Sequence, residues 1–336
     1  MRAVHGCCDF LLEAKDGTYI NARTLEFPDP FPCTIVVHPR KEKIQSPAPN
    51  GASGLSWTTK YGYMGVHAKE ENVIFDGMNE KGLSVGALWF PGALYQEIPK
   101  EASSRALLLD LLASWMLGNF ATVDEVQFAL ANVYIWARVV TSLGKIPPLH
   151  IGVHDAQGRS FVLEFIDGKQ KIYNNPVRVL TNAPRFDWHL DNLRNYCKLK
   201  PENAPPAMIG EFDVTLQGQG SGLLGIPGDW MPASRFVRIA YLKQFASPCN
   251  TREEALLLAQ HLLNVVDIPH GIVQDSTGQT IDYTQWAVIK DLTNLEFHYR
   301  SYQDLSLKTI DLKTINFSAP MQLESVDIQG SSSATK

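Results

Sequence analysis

The 336-residue sequence predicts an α+β fold in which sheets are sandwiched between helical layers. Three observations carry the prediction. Strand and helix periodicities come in blocks (strands, helices, strands, helices, strands) and not in the strict βα alternation of a doubly wound fold. Short turn signals such as Lys15-Asp16-Gly17 join neighbouring strand segments as hairpins. Hydrophobic residues make up 45% of the chain and charged residues 19%, which supplies a sizeable buried core.

Taken in order, segments 7–14 and 18–27 form the first hairpin. With a side-chain period of two, Phe10 and Leu12 share a face with Cys8, while Cys7 shares the other with Asp9 and Leu11. Cys8 is therefore the core candidate of the pair. Further strands are expected over 34–39, 56–68 and 73–91, with Gly and Asn at the turns. Ser103 or Ser104 can cap a helix over 106–117, and Thr122 opens an amphipathic segment over 123–133. A second strand block fills 148–182, with turns at Gln157-Gly158 and Asp167-Gly168. Segment 185–197 reads as helix, 200–232 as a Pro/Gly-rich loop, 234–245 and 252–265 as helices, and 283–312 as closing strands. No repeat or linker divides the chain, so 7–325 reads as one domain, followed by a loose tail over 326–336.

Bulk properties exclude several functions. A net charge of −5, with no basic run longer than Arg40-Lys41, argues against nucleic-acid binding. No stretch approaches the roughly 18 apolar residues that span a membrane. The five cysteines (Cys7, Cys8, Cys33, Cys197, Cys249) are irregularly spaced and form neither a disulfide framework nor a paired metal site. Residues 1–6 (MRAVHG) are too short for a signal peptide. They are a propeptide or the remnant of a trimmed signal, which leaves a cytoplasmic and a periplasmic or secreted location open.

Cys7 opens its strand. If the preceding bond is cut, one residue carries a thiol nucleophile and an α-amine of pKa about 7.7–8.0, against about 10.4 for a lysine. The bland alternative is a small buried hydrophobe. Gly82-Leu-Ser84-Val-Gly86 matches the G-x-S-x-G nucleophile elbow, but it lies inside a strand and lacks the turn into a helix that an elbow needs. Gly218, Gly220 and Gly222 lack the GK[ST] of a phosphate loop. His150 and His154 stand in a strand without an H-E-x-x-H pattern, so no metal is expected. Asn182 ends a strand, where its amide either donates to a developing oxyanion or makes an Asx turn. Arg235 at a helix start, taken alone, is an ion pair with Asp229.

Together these segments resemble the choloylglycine hydrolase family of conjugated bile salt hydrolases and penicillin V acylases. The matching pieces are C-x-x-F-L-L-x-x-x-D-G at 7–17, A-R-T-x-E-F at 22–27 and F-D-G-M-N-E-K-G-L-S-V at 75–85. L-T-N-x-P-x-F-D-W-H-L-x-N-L-R-N-Y at 180–196 and P-G-D-W-x-P-x-S-R-F-V-R at 227–238 follow in family order. The resemblance implies an N-terminal nucleophile hydrolase with a four-layer αββα sandwich of two antiparallel sheets. It also implies maturation to a free Cys7, no cofactor, a small-molecule amide substrate and a homotetramer. Cys7 would attack the amide carbonyl, Arg23 would favour its thiolate, and Glu26, where many members have aspartate, would orient the new amine. Arg23 and Glu26 face opposite ways in a straight strand, so a bend or strand end between them is expected. Asn182 would be the oxyanion amide, and Arg235 would complete the polar network.

At the position where many bile salt hydrolases carry asparagine and many penicillin V acylases tyrosine, this chain has Trp89, whose backbone N–H could still serve the oxyanion. Tryptophan here is similar to members from Gram-negative bacteria, some of which favour penicillin V or acyl-homoserine lactones. Trp89, Phe90, Tyr61, Tyr63 and Met64 are candidate walls of the acyl pocket, with plain core as the alternative for the last three. An N-acylethanolamine or ceramide-type amidase, a Ser84 hydrolase and an inactive binding relative are the competing readings.

Overall fold

The computed structural model describes residues 6–28, 30–68, 73–319 and 326–328. Strands β1 (Cys7–Glu13), β2 (Tyr19–Phe27) and β3 (Cys33–His38) come first. They are followed by β4 (Tyr63–Ala68), β5 (Ile74–Asn79) and β6 (Ser84–Trp89). The second block holds β7 (Leu149–His154), β8 (Ser160–Ile166), β9 (Lys169–Asn174) and β10 (Val179–Leu180). The chain closes with β11 (Ile281–Asp291), β12 (Glu296–Ser301), β13 (Lys308–Asp311) and β14 (Val326–Asp327).

These strands make two antiparallel sheets, ordered β10-β1-β2-β11-β12-β13 and β9-β8-β7-β6-β5-β4-β3-β14. Helices α1 (Leu112–Asn119) and α2 (Val123–Leu130) pack on the outer face of the second sheet. Helix α3 (Phe186–Leu193) leads to α4 (Pro232–Phe245) and α5 (Arg252–Asn264), which cover the first sheet. A third apolar cluster, including Leu11, Leu25, Met64 and Trp286, fills the space between the sheets. The result is the αββα sandwich. Because β1 lies between a helical layer and the second sheet, both of its faces are buried.

Four element readings change. Segment 56–68 splits, since Ser53–Thr58 pairs with Lys43–Pro47 in a separate ribbon while β4 enters the large sheet. The helix expected from residue 106 begins at Leu112, because Ala106–Leu108 pairs in parallel with Tyr134–Trp136. The run ALLLDLL is apolar on both periods, so pattern alone cannot separate strand from helix there. Ser103 correspondingly caps nothing and donates to Lys100 O at 2.8 Å. The loop over 200–232 contains an exposed hairpin, Ala207–Ile209 with Phe212–Val214. The tail expected from 326 is anchored at its start, where β14 pairs with β3 and Ile328 is buried. Residues 1–5 and 329–336 lie outside the described residues.

Candidate active site

The first two strands set the site. The register Cys8↔Thr24 and Asp9↔Arg23 sends Asp9 and Arg23 toward the second sheet, with Cys7, and sends Cys8 and Thr24 toward the helices. Glu26 follows Thr24 to the helix side, beside Gly6, and its N–H donates to Gly6 O at 3.0 Å. The expected bend between Arg23 and Glu26 is therefore not in β2, which runs unbroken; the two side chains flank the start of β1 from opposite faces. The irregularity is in the partner strand β11, between Thr284 and Trp286. A Cβ at Gly6 would meet Glu26 Cβ at 3.1 Å and Arg235 Nη2 at 3.3 Å, so the residue before Cys7 is closely confined.

Arg23 is fully buried, and its Nη2 lies 3.7 Å from Cys7 Sγ and donates to Ala87 O at 2.5 Å. Its Nη1 donates to Phe75 O and faces Asp76 Oδ2 at 3.4 Å. Lys290 Nζ donates to the other oxygen of Asp76 at 2.6 Å. Burial opposes the Lys290 charge and lowers its pKa, with Asp76 working the other way. Neither Asp76 nor Lys290 stands out in the sequence, although Asp76 lies within the F-D-G-M-N-E block. Gly86 has a structural reason in the same place, because a Cβ there would lie 3.3 Å from Asp76 Oδ2 and 3.4 Å from Asp9 Oδ2. Ser84 is buried in β6 and donates to Asn21 Oδ1 at 2.8 Å, inside a strand and away from any elbow.

Asn182 and Arg235 hold the backbone of Cys7. The Cys7 N–H donates to Asn182 Oδ1 at 2.8 Å, and Arg235 Nη1 donates to Cys7 O at 2.5 Å. Arg235 Nη2 donates to the same Asn182 oxygen at 2.8 Å, while Asn182 Nδ2 donates to Trp89 O at 2.8 Å. Two donors on one oxygen fix which end of the amide is which. Asn182 is itself pinned from behind. His150 Nε2 donates to Thr181 O at 2.9 Å and His189 Nε2 to Asn182 O at 2.8 Å. The expected Arg235–Asp229 pair is absent, because Asp229 instead accepts from Met231 N and Ser234 Oγ at the start of α4. Glu26 Oε1 accepts from Thr284 Oγ1 at 2.8 Å. Burial raises the Glu26 pKa, and Arg235 opposes that rise.

Cys7 Sγ faces a narrow cavity of about 380 Å³, mouth included. Apart from Cys7, Arg23 and Glu26 its walls are apolar: Leu25, Phe27, Phe31, Phe75, Ala87, Trp89, Leu143 and Leu149. Of the candidate acyl-pocket residues only Trp89 lines it. Tyr63 is buried against His38, with ring centroids 4.5 Å apart, and Met64 packs between the sheets. Both point into core because β4 sits beyond β5, away from Cys7. Phe90 stacks on His150 at 4.8 Å, and Tyr61 lies in a turn with Lys81 over its ring. Among the described residues no group of three or more His, Cys, Asp and Glu is placed to hold a metal ion.

A family model, linear amide C–N hydrolases of the choloylglycine hydrolase family, matches residues 7–329. The chain belongs to this family. A bile salt hydrolase/transferase of Clostridium perfringens is 32% identical over 92% of this chain and 93% of its own length. A penicillin V acylase of Pectobacterium atrosepticum is 28% identical over 89% of this chain and 78% of its own. The solved structure of the C. perfringens conjugated bile acid hydrolase superposes with a TM-score of 0.83 at 30% identity, covering 95% and 96% of the two chains. The penicillin V acylase of Agrobacterium tumefaciens gives 0.75 at 26% identity, covering 93% and 88%. As a member of the choloylglycine hydrolase family the chain is a hydrolase acting on linear amides.

Proposed function

We propose that this hydrolase is a cysteine N-terminal nucleophile enzyme, activated by cleavage of the Gly6–Cys7 bond. The observation that carries the reading is the convergence on one residue. Arg23 lies 3.7 Å from Cys7 Sγ, Asn182 and Arg235 hold the Cys7 backbone, and the sulfur faces an apolar cavity. In the mature chain the freed α-amine takes the proton from Sγ, and Arg23 stabilises the negative sulfur. The sulfur attacks the amide carbon, and the Asn182 Nδ2 hydrogen not used by Trp89 O faces the developing oxyanion. Collapse breaks the C–N bond, the ammonium proton goes to the departing amine, and a thioester remains. Water then attacks the thioester, passing a proton through the α-amine back to sulfur. Glu26 and Asn182 Oδ1, the acceptor of Cys7 N–H, orient the new amine, while Arg235 holds the Cys7 carbonyl.

The acyl group enters the apolar cavity. Conjugated bile salts, penicillin V and related N-acyl compounds all fit this chemistry in outline. A narrow slot walled by Phe27, Phe31, Phe75 and Trp89 favours an aryl or straight-chain acyl group over a fused ring system. The active assembly in this reading is a homotetramer. The exposed hairpin with Met208, Ile209 and Phe212 supports it, since each of these side chains is more than half exposed at 61%, 71% and 71%.

Intact mass spectrometry of the wild-type protein beside Cys7→Ser and Cys8→Ser tests the mechanism. We expect an active wild type lacking residues 1–6 and a loss of amide hydrolysis only in Cys7→Ser. A fully active enzyme retaining Met1–Gly6 refutes the free-amine step. A panel of phenoxyacetyl, straight-chain acyl and steroid amides then reads the acyl preference.

A further inference from the structure

Asp76 stands between two cations. Its Oδ1 accepts from Lys290 Nζ at 2.6 Å and its Oδ2 faces Arg23 Nη1 at 3.4 Å, with all three side chains fully buried. The nearer bond goes to Lys290. Arg23 in turn reaches Cys7 Sγ with Nη2 at 3.7 Å, and its other acceptors, Phe75 O and Ala87 O, are uncharged. One unbroken chain of contacts therefore runs from Lys290 in β11 through Asp76 in β5 and Arg23 in β2 to the sulfur at the start of β1. Asp9, the other carboxylate acting on Lys290, is occupied separately: it is bonded to His154 Nε2 at 2.6 Å and accepts from Asn21 Nδ2 at 3.2 Å.

Arg23 and Asp76 alone sum to zero, and a neutral pair has no net charge to offer a thiolate. Lys290 brings the trio to a single positive charge, which a thiolate at Cys7 would cancel. Such a balance weighs most where water is excluded. We propose that Lys290 is a positioning residue for the nucleophile: by taking up Asp76, it leaves the Arg23 charge to the Cys7 sulfur. The inference rests on the reading of Cys7 as nucleophile. Lys290 acts through Asp76 and Arg23, and not by contact with the sulfur.

The rate of Cys7 alkylation by iodoacetamide, followed by peptide mapping from pH 5.5 to 9.5, tests it. Lys290→Gln keeps a donor toward Asp76 and removes only the charge. We expect alkylation about tenfold slower than wild type at pH 7, with the gap closing as pH rises, the low end of what one nearby charge does to a buried acid. Lys290→Met should show the same gap. Lys290→Met combined with Asp76→Asn removes both opposite charges, and should return the rate to within about threefold of wild type. An unchanged profile in Lys290→Gln overturns the proposal. A loss in the double variant as large as in Lys290→Met overturns it too, as does a loss independent of pH, since either would mean that Lys290 only packs between the sheets. Undiminished amide hydrolysis by Cys7→Ser would instead remove the nucleophile reading, and the alkylation profile would still report whether Lys290 governs the Cys7 thiolate.

Discussion

Cys7 and Cys8 are neighbours, both buried, at 4% and 0% exposure, and both border the apolar cluster under the helices, yet their side chains face opposite ways. Cys8 points to the helices with Phe10 and Leu12, in a cluster that includes Phe236, Ala255 and Leu263. Burial there pushes its thiol up to about 12, which the charge of Arg235 only partly offsets. Cys7 points between the sheets, where Arg23 stands 3.7 Å from its sulfur and is backed by Asp76 and Lys290. Depth of burial does not separate the two residues. What separates them is whether the layer they enter carries a paired cation, since a thiolate needs one when water is gone.

The largest expected effect breaks or confirms that contrast directly. Iodoacetamide at pH 8, followed by peptide mapping, should label Cys7 and leave Cys8 unmodified, with exposed Cys197 as the internal standard. Cys7→Ala should lower kcat/KM by at least about 10⁴, whereas Cys8→Ala should stay within a few-fold of wild type, on the order seen when a nucleophile is removed and a neighbour is not. Comparable labelling of both thiols would erase the distinction between the two faces. A smaller effect follows at the rear of Cys7. Asn182→Ala removes the acceptor for Cys7 N–H and the amide proposed to face the oxyanion, so kcat should drop by about 10²–10³ with KM little changed. An unchanged kcat would assign Asn182 to backbone support alone.

Local signals predict local features well. The Lys15-Asp16-Gly17 turn and the two-residue period placed Cys8 in core and Cys7 opposite it, because a hairpin register depends on adjacent residues. The strand context of Gly82–Gly86 likewise disposed of a serine elbow. Long-range placement was legible only through the family resemblance, which grouped Asn182 and Arg235 with Cys7, and not through any local pattern. β1 pairs with β10, whose Val179 and Leu180 are remote in sequence, and only that pairing brings Asn182 to the Cys7 amide. Arg235 offered a near acidic partner in Asp229, but helix capping took that carboxylate and left the guanidinium for the site. Tyr63 and Met64 looked like pocket walls only because aromatic and sulfur side chains suit pockets and cores alike. The Asp76–Lys290 pair had no signature, since two charges 214 residues apart carry no local pattern.

The apolar outer layer makes one further claim, smaller than the others: it holds an imidazole neutral as it holds the Cys8 thiol. His189 in α3 stacks on Phe236 with centroids 4.6 Å apart, and burial lowers its pKa from 6.5 to about 4. A neutral ring donating Nε2–H to Asn182 O is the state that the fold selects. Because the folded pKa lies below the unfolded one, the unfolded chain binds more protons between pH 6.5 and about 4. His189 therefore contributes stability above pH 6.5 that is lost as pH falls to about 4, and nothing further is lost below that. The contribution is at most roughly 3 kcal/mol by the size of the shift. His67, lowered to about 3 by burial, adds a similar slope to the wild-type curve, so the readout is the difference between wild type and His189→Gln. Urea unfolding from pH 7.5 to 4.5 should show that difference shrinking as pH falls, because glutamine keeps a donor toward Asn182 O and does not titrate. A difference constant with pH would mean that His189 is charged as easily in the fold as outside it, and that the outer layer is less apolar than the fate of Cys8 implies.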